Sequence, residues 1–360
     1  MVGLISSFIA SFLVSLFILR FEYMHGHISG DSDLLGPQKY HGSSVPRIGG
    51  ISVAIGILVA LLLRLGGNQA SSIEFLLAAC SMPVFGIGLA EDLIKKIGVR
   101  TRLFFTAFAA LLATYSLGLQ ITTINLIGLD YLLSFTIISI VFTVFAITGL
   151  ANAYNIIDGF NGLSSMVAMI TLAAISYMGY LMKDPLLIYL GFIMIGGILG
   201  FFIWNYPRGL IFLGDGGAYL IGFWIAVLSI LLIVRHPNIS PWFALAINAY
   251  PIIETLFSIY RRKIHRGKSP GDPDGIHFHT LIFRRILKPV GNKKTIDWYT
   301  ANARTAPYLW LLTSMAIMPA VLWWDSTPIL FCSFMLFSAS YLWLYKSIVI
   351  FKTPKWLKVY

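Results

Sequence analysis

Residues 185–204 read PLLIYLGFIMIGGILGFFIW, a run of 20 positions without a charged side chain. About 20 apolar residues in a helix cross the hydrocarbon core of a bilayer. Similar runs recur along all 360 residues, which are 58% hydrophobic and only 11% charged. These runs do not alternate polar and apolar residues as β-barrel strands do, so they predict an all-α polytopic membrane protein with about 11 transmembrane helices. The runs are Leu4–Leu19, Ile48–Leu63, Ile73–Ala90, Leu103–Leu119, Tyr131–Ala151, Leu163–Leu181, Pro185–Trp204, Ala218–Val234, Pro241–Tyr260, Pro307–Trp324 and Pro328–Tyr345.

The distribution of basic residues predicts the orientation. With the N-terminus outside, only Arg64, Lys183 and Arg235 of the 26 Lys and Arg residues lie in external loops, and cytoplasmic loops normally carry the excess. We therefore expect an external N-terminus and a cytoplasmic C-terminus. No basic residue precedes the first run and Arg20 follows it, so we expect an uncleaved span. The net charge of +11 then matches the anionic membrane surface, and we expect no nucleic-acid partner.

We expect a single integral membrane domain over residues 1–360. Cys80 and Cys332 lie inside predicted spans, which suggests apolar packing and not a disulfide or a metal site. The polar residues concentrate in loops that share the cytoplasmic face. These loops cover about residues 20–47, 91–102, 152–162, 205–217 and 261–306.

The first loop contains Lys39 and Arg47, two side chains suited to phosphate. Gly49 and Gly50 follow, and glycines let a backbone approach a ligand closely. The alternative is an ordinary basic loop that ends in a glycine-rich helix start.

The second loop begins with two adjacent acids, Glu91 and Asp92. Carboxylates at a membrane surface are costly unless they bind a metal, a proton or a basic partner. Salt bridges to the neighbouring Lys95 and Lys96 are the alternative.

The third loop has Asn152, Asn155 and Asp158 three residues apart, a spacing that keeps them near one side of a helix end. Amides and one carboxylate at a helix break suit a sugar, a base or a hydrated cation. The alternative is a helix C-cap followed by an Asn-Gly turn.

The fourth loop places Asp215 between Gly214 and Gly216, just before a predicted span. Asp215 could cap that helix. A hard cation is the second interpretation, since Mg²⁺ takes one or two protein carboxylates and completes its shell with phosphate and water.

The fifth and longest loop contains Lys268, His277 and His279. Histidines two apart face the same way on an extended segment, but no third ligand has zinc-site spacing nearby. We expect phosphate or substrate contacts, with a purely structural pair as the alternative. As loop residues, these histidines should contribute little to helix packing.

Glu254 lies inside a predicted span, after Pro251. An acid at membrane depth is a candidate functional residue. It could equally be the buried partner of Arg261 or Arg262.

These motifs, taken in order from Lys39 to His279, resemble the polyprenyl-phosphate N-acetylhexosamine-1-phosphate transferase family. The densest matches are Asn152–Gly162, Phe212–Gly217 and Lys268–His279. The resemblance implies that a lipid phosphate attacks the β-phosphorus of a UDP-N-acetyl sugar and releases UMP. It also implies a bacterial inner membrane enzyme with a cytoplasmic site, a polyprenyl (undecaprenyl) phosphate partner and Mg²⁺, with Mn²⁺ as a substitute. A homodimer is left open.

The resemblance assigns roles to particular residues. Asp92, Glu91 and Asp158 match the catalytic acids, and Asp215 and Asp158 match the metal region. The substrate-binding matches are Lys39, Arg47, Asn152, Asn155, His277, His279 and Lys268.

The sequence departs from the family pattern at several positions. The acidic pair is Glu91-Asp92 instead of Asp-Asp, Asn161 stands where many bacterial relatives have Asp, and Thr280 stands where relatives of the common-antigen type have another His. The run of three histidines of the peptidoglycan enzyme is absent. We therefore expect an enzyme that starts surface polysaccharide (O-antigen-like) synthesis; the alternatives are a peptidoglycan lipid I synthase and, from another class, a polytopic lipid or solute transporter.

Overall fold

The computed structural model describes residues 1–30, 44–67, 71–265, 267, 275–287, 298–352 and 354. This part of the chain folds into 15 α-helices, with two π-helical turns at Arg261–His265 and Phe283–Leu287, and it contains no β-strand. The helices are α1 (Val2–Arg20), α2 (Glu22–Ser29), α3 (Gly49–Gly66), α4 (Ser72–Ile94), α5 (Val99–Ser116), α6 (Leu129–Leu133), α7 (Thr136–Ile157), α8 (Leu163–Leu181), α9 (Pro185–Asn205), α10 (Gly214–Arg235), α11 (Pro241–Ile247), α12 (Ala249–Tyr260), α13 (Phe278–Ile282), α14 (Trp298–Leu322) and α15 (Thr327–Val349).

The predicted all-helical membrane architecture is confirmed. Among the described residues, 9 helices are long and apolar enough to span a membrane, and the bent pair α11 and α12 would make 10. All eleven predicted runs are mainly helical, but the run Tyr131–Ala151 is divided between α6 and α7 at Ser134 and Phe135. Helix α5, which covers most of the run Leu103–Leu119, is not among the candidate spans. It begins earlier than predicted and includes Arg100 and Arg102, which lower its mean hydropathy. The count of eleven spans stays a prediction.

The run Pro241–Tyr260 is not the single straight helix that the sequence predicts. It breaks at Asn248, and its two parts meet at an angle of 75°. In a continuous helix the amide of residue 251 would bond to the carbonyl of Ile247, but Pro251 has no amide hydrogen. The hydroxyl of Thr171 donates to that carbonyl instead, at 3.3 Å.

The side chain of Asn248 stabilises this break. Its amide nitrogen donates to the carbonyl of Ala244 at 2.9 Å and to the hydroxyl of Ser229 at 3.3 Å. Its amide oxygen accepts from the hydroxyl of Tyr154 at 3.2 Å. All the bonds of the amide are therefore made inside the bundle, where unpaired polar groups are costly.

Helix α10 lies at the centre of the bundle. Nearly all of its side chains are buried, whereas α1 and α15 expose much of their apolar surface. It packs against α3, α4, α5, α7, α8, α9 and α11. The first turn of α10 lies beside the C-terminal ends of α4 and α7, which gathers the predicted loop residues at one end of the bundle.

Candidate active site

The N-terminus of α10 is capped by a residue from another helix. Asp92, near the end of α4, accepts from the amide of Asp215 at 2.8 Å and from the amide of Gly216 at 2.9 Å, one bond on each carboxylate oxygen. The side chain is only 1% exposed. These bonds satisfy two amides that have no partner within the helix, and the negative charge faces the positive end of the helix dipole.

This cap requires glycine at position 214. Gly214 has a φ of +75°, a conformation that other residues rarely adopt. A Cβ atom there would also clash with the carbonyl oxygen of Arg47 and with the Asp92 carboxylate.

The backbone of the first loop pairs with the segment before α10. Phe212 donates to the carbonyl of Pro46 at 2.9 Å, Gly49 donates back to Phe212 at 2.9 Å, and Gly50 donates to Leu213 at 2.8 Å. Gly49 and Gly50 were predicted to let the backbone approach a ligand, but here they let it approach other parts of the protein. They admit neighbouring protein: Phe201 and the Phe212 carbonyl lie against Gly49, and the α10 backbone lies against Gly50. The same backbone pairing places the Arg47 side chain close to Asp92 and Asp215.

Asp215 points away from the helix that it begins. Its carboxylate pairs with Arg102, lies 3.6 Å from Arg47 and accepts from the amide of Asn155 at 3.0 Å. The capping interpretation of Asp215 is contradicted because Asp92 makes the bonds of the cap. Asp215 is instead a carboxylate neutralised by two guanidinium groups.

The three polar residues of the third loop approach α10. Asn152 accepts from the hydroxyl of Tyr219 at 3.1 Å, and Asn155 bonds to Asp215. Asp158, the C-cap of α7, is half-buried. Burial, followed by repulsion from Asp215, raises the pKa of Asp158 to about 8, although Arg47 acts in the opposite direction. Asp158 and Asp215 therefore share one electrostatic environment.

Glu91 lies apart from this group. Its carboxylate accepts from the amide of Ile97 at 2.5 Å and closes the turn between α4 and α5. Its catalytic role stays a prediction. The predicted phosphate ligands Lys39 and Lys268 lie outside the described residues.

The two histidines are not exposed loop residues, and the expectation that they add little to packing is wrong. His277 and His279 are each 3% exposed, and their rings stack with centroids 5.2 Å apart. His279 also packs edge-on against Phe160, at 5.5 Å between ring centroids. They are buried because the chain returns into the bundle as α13. The described residues contain no group of three or more His, Cys, Asp or Glu side chains that could hold a metal ion.

Three contacts were not predicted from the sequence: Arg102 with Asp215, Glu254 with His277, and Glu254 with Tyr341. Arg102 was only one of several basic residues in its loop, and its ion pair with Asp215 depends on how α5 packs. Glu254 bonds to His277 and to Tyr341 and not to the expected arginines.

The departure at Asn161 has a structural reason. Its side-chain amide donates to the carbonyl of Pro207 at 3.1 Å, a bond that an ionised Asp could not make. Asn161 therefore belongs to the packing between the third and fourth loops.

Comparison with known proteins identifies related chains. The pattern of glycosyl transferase family 4 matches residues 74–233. A Pasteurella multocida protein is 37% identical over 302 residues, which is 80% of each chain. A Thermotoga maritima protein is 26% identical over 284 residues, 79% of this chain and 81% of its own. A Yersinia pestis protein is 31% identical over 254 residues, 69% and 68% respectively. Each is named undecaprenyl-phosphate alpha-N-acetylglucosaminyl 1-phosphate transferase.

The chain belongs to glycosyl transferase family 4, a family of transferases. More particularly, it is a member of the polyprenyl-phosphate N-acetylhexosamine-1-phosphate transferases, as its motifs predict. Membership in this family favours a transferase over the transporter alternative.

We expect Asp92→Asn to destabilise the protein by about 1–3 kcal/mol, since one of two accepting oxygens becomes a donor that faces a buried amide. The measurement is thermal unfolding in detergent. Asp325→Asn, at an exposed carboxylate, is the matched control and should leave the melting temperature unchanged. Equal stability of the two variants would contradict the cap.

Proposed function

We propose that this protein transfers N-acetylglucosamine 1-phosphate from its UDP-sugar to undecaprenyl phosphate. An oxygen of the lipid phosphate forms a bond to the β-phosphorus, the bond from that phosphorus to the bridging oxygen breaks, and UMP leaves with the electron pair. The product is a sugar-diphospho-lipid. The observation that carries this proposal is the name shared by relatives that align along most of the chain.

The site supports the proposal through its charges. Arg47 and Arg102 meet Asp215 at the start of a helix, and guanidinium groups bind phosphate oxygens through paired hydrogen bonds. In phosphoryl transfer, catalysis is mostly positioning and charge stabilisation. We assign these arginines to the pyrophosphate of the UDP-sugar, and Asn152 and Asn155 to the nucleotide or sugar.

We propose Asp215 and Asp158 as the residues that would hold Mg²⁺, or Mn²⁺ in its place. The donor set fits, because both are carboxylates, oxygen ligands of the kind that Mg²⁺ takes from proteins, and the charge of Asp215 acts on Asp158. When bound, the cation would neutralise charge that develops on the pyrophosphate. Asp92, with both oxygens bonded to backbone amides, fits a positioning role better than that of a base.

We further propose an external N-terminus, eleven spans and a catalytic end that faces the cytoplasm of a bacterial inner membrane. The 26 basic residues, of which three fall in external loops in this orientation, support it through the positive-inside rule. The sequence His277-Phe278-His279-Thr280 lacks a run of three histidines. It therefore favours initiation of a surface polysaccharide over peptidoglycan lipid I synthesis.

The function is tested with purified protein, undecaprenyl phosphate and a panel of UDP-N-acetyl sugars. We expect UMP release with UDP-N-acetylglucosamine and none with UDP-N-acetylmuramoyl-pentapeptide. Reversal of that preference would assign the protein to peptidoglycan synthesis, and release with neither substrate would refute the proposed reaction.

We expect Asp215→Asn to lower UMP release by orders of magnitude, because the amide keeps the size of the side chain but loses the anionic ligand. The assay is run at several Mg²⁺ concentrations, with Asp325→Asn as the control. Normal turnover of the Asp215→Asn variant, or activity of the native protein in excess EDTA, would contradict the metal assignment.

The orientation is tested by cysteine labelling in intact cells, in a background that carries Cys332→Ser. Lys183 and Lys263 are both exposed and lie at opposite ends of the bundle. Lys183→Cys should react with an impermeant maleimide, whereas Lys263→Cys should react only after the membrane is opened. The opposite pattern would reverse the proposed topology.

A further inference from the structure

Glu254 is a carboxylate buried within α12, on the site side of the break at Asn248. It is 1% exposed, and a buried charge persists only when several groups hydrogen-bond to it. His277 bonds to one oxygen at 2.9 Å through Nδ1, and the hydroxyl of Tyr341 donates to the other at 2.8 Å. The amide of Phe278 lies 3.3 Å from each oxygen.

These bonds determine how the His277 ring is held. An ionised carboxylate only accepts hydrogen bonds, so the ring nitrogen that faces Glu254, Nδ1, carries a proton. A carboxylate on one imidazole nitrogen fixes both the tautomer and the orientation of the ring. The amide of Phe278 fixes the backbone next to the same residue. Glu254 therefore orients His277 in two ways: it bonds to the His277 ring, and it bonds to the amide of the next residue, Phe278.

The His277 ring in turn supports His279. The two rings are nearly parallel, at 15°. His279 lies against Gly159, where a Cβ atom would come within 3.0 Å of its Nε2. Gly159 directly follows Asp158, one of the candidate metal ligands. A continuous series of contacts thus runs from Glu254 through both imidazoles to the third loop.

We propose that Glu254 is a positioning residue that orients the His277–His279 pair for the transfer reaction. The inference rests on the proposed function, because the sequence predicts that His277 and His279 contact phosphate or substrate in that reaction. Glu254 itself touches neither site acid and acts through His277. Tyr341, from α15, holds the second carboxylate oxygen and links the C-terminal span to the same assembly.

The test is a double-mutant cycle in the full-length protein, with kcat and KM for the UDP-sugar measured by UMP release. Glu254→Gln should lower kcat by about 10- to 100-fold, the range seen when partners of functional imidazoles are removed, with a smaller change in KM. In the His277→Ala background the same change should add almost nothing, because residues that act through one another are non-additive. Additive losses would overturn the proposal.

A matched control separates positioning from general destabilisation. Glu74 is also fully buried in a span, and its partner is Arg64 at 3.3 Å. Glu74→Gln should shift the melting temperature without a comparable loss in kcat. If both glutamate variants lost kcat equally for the same thermal shift, Glu254 would be purely structural.

Two further measurements keep the proposal testable. If Glu254→Gln does not fold, Tyr341→Phe replaces it in the cycle, with a loss of several-fold expected in the native background and none with His277→Ala. The nitrogen NMR spectrum of histidine-labelled native protein, assigned with His277→Ala, should show His277 protonated at Nδ1. Protonation at Nε2 alone would overturn the proposal even if UMP release failed, and that failure would by itself refute only the proposed reaction.

Discussion

The bond between the Asp92 carboxylate and the first amides of α10 is the constraint on which the site depends. It fixes the end of α4 to the start of the central helix and sends the Asp215 side chain outward, away from its own helix. Gly214 is required because any side chain would occupy the space that the carboxylate takes. The two neighbouring acids therefore have separate roles: Asp92 caps α10, whereas Asp215 pairs with Arg102 and Arg47.

Charge balance explains how this end of the bundle tolerates several acids. Two guanidinium groups approach Asp215, and Arg47 also lies 3.6 Å from Asp92. Burial, followed by repulsion from Asp215, raises the pKa of Asp158, and Arg47 partly offsets that rise. In the proposed reaction, a ligand that brings both phosphate and a metal ion would exchange partners with these residues without leaving a charge unpaired.

The sequence predicted the helical architecture and the loops that meet because apolar runs and polar clusters are local signals. The run Leu163–Leu181 agrees with α8 in both of its ends. Pro251 is visible in the sequence, but the hydroxyl of Thr171 that bonds to the freed carbonyl of Ile247 comes from a distant helix, so the sequence did not predict the break at Asn248. The partners of Glu254 and Arg102 were missed for the same reason: each pair joins segments that are far apart in the chain, and only packing brings them together.

The burial of α10 has a consequence for biogenesis. A helix enclosed on nearly all sides has little contact with lipid once the bundle is complete, so its final surroundings must be supplied by other helices. Among the described helices that pack most extensively on it, α11 is the one that follows it along the chain. The ribosome therefore delivers α3, α4, α5, α7, α8 and α9 before α10 emerges. The most enclosed segment is therefore synthesised after most of the helices that enclose it.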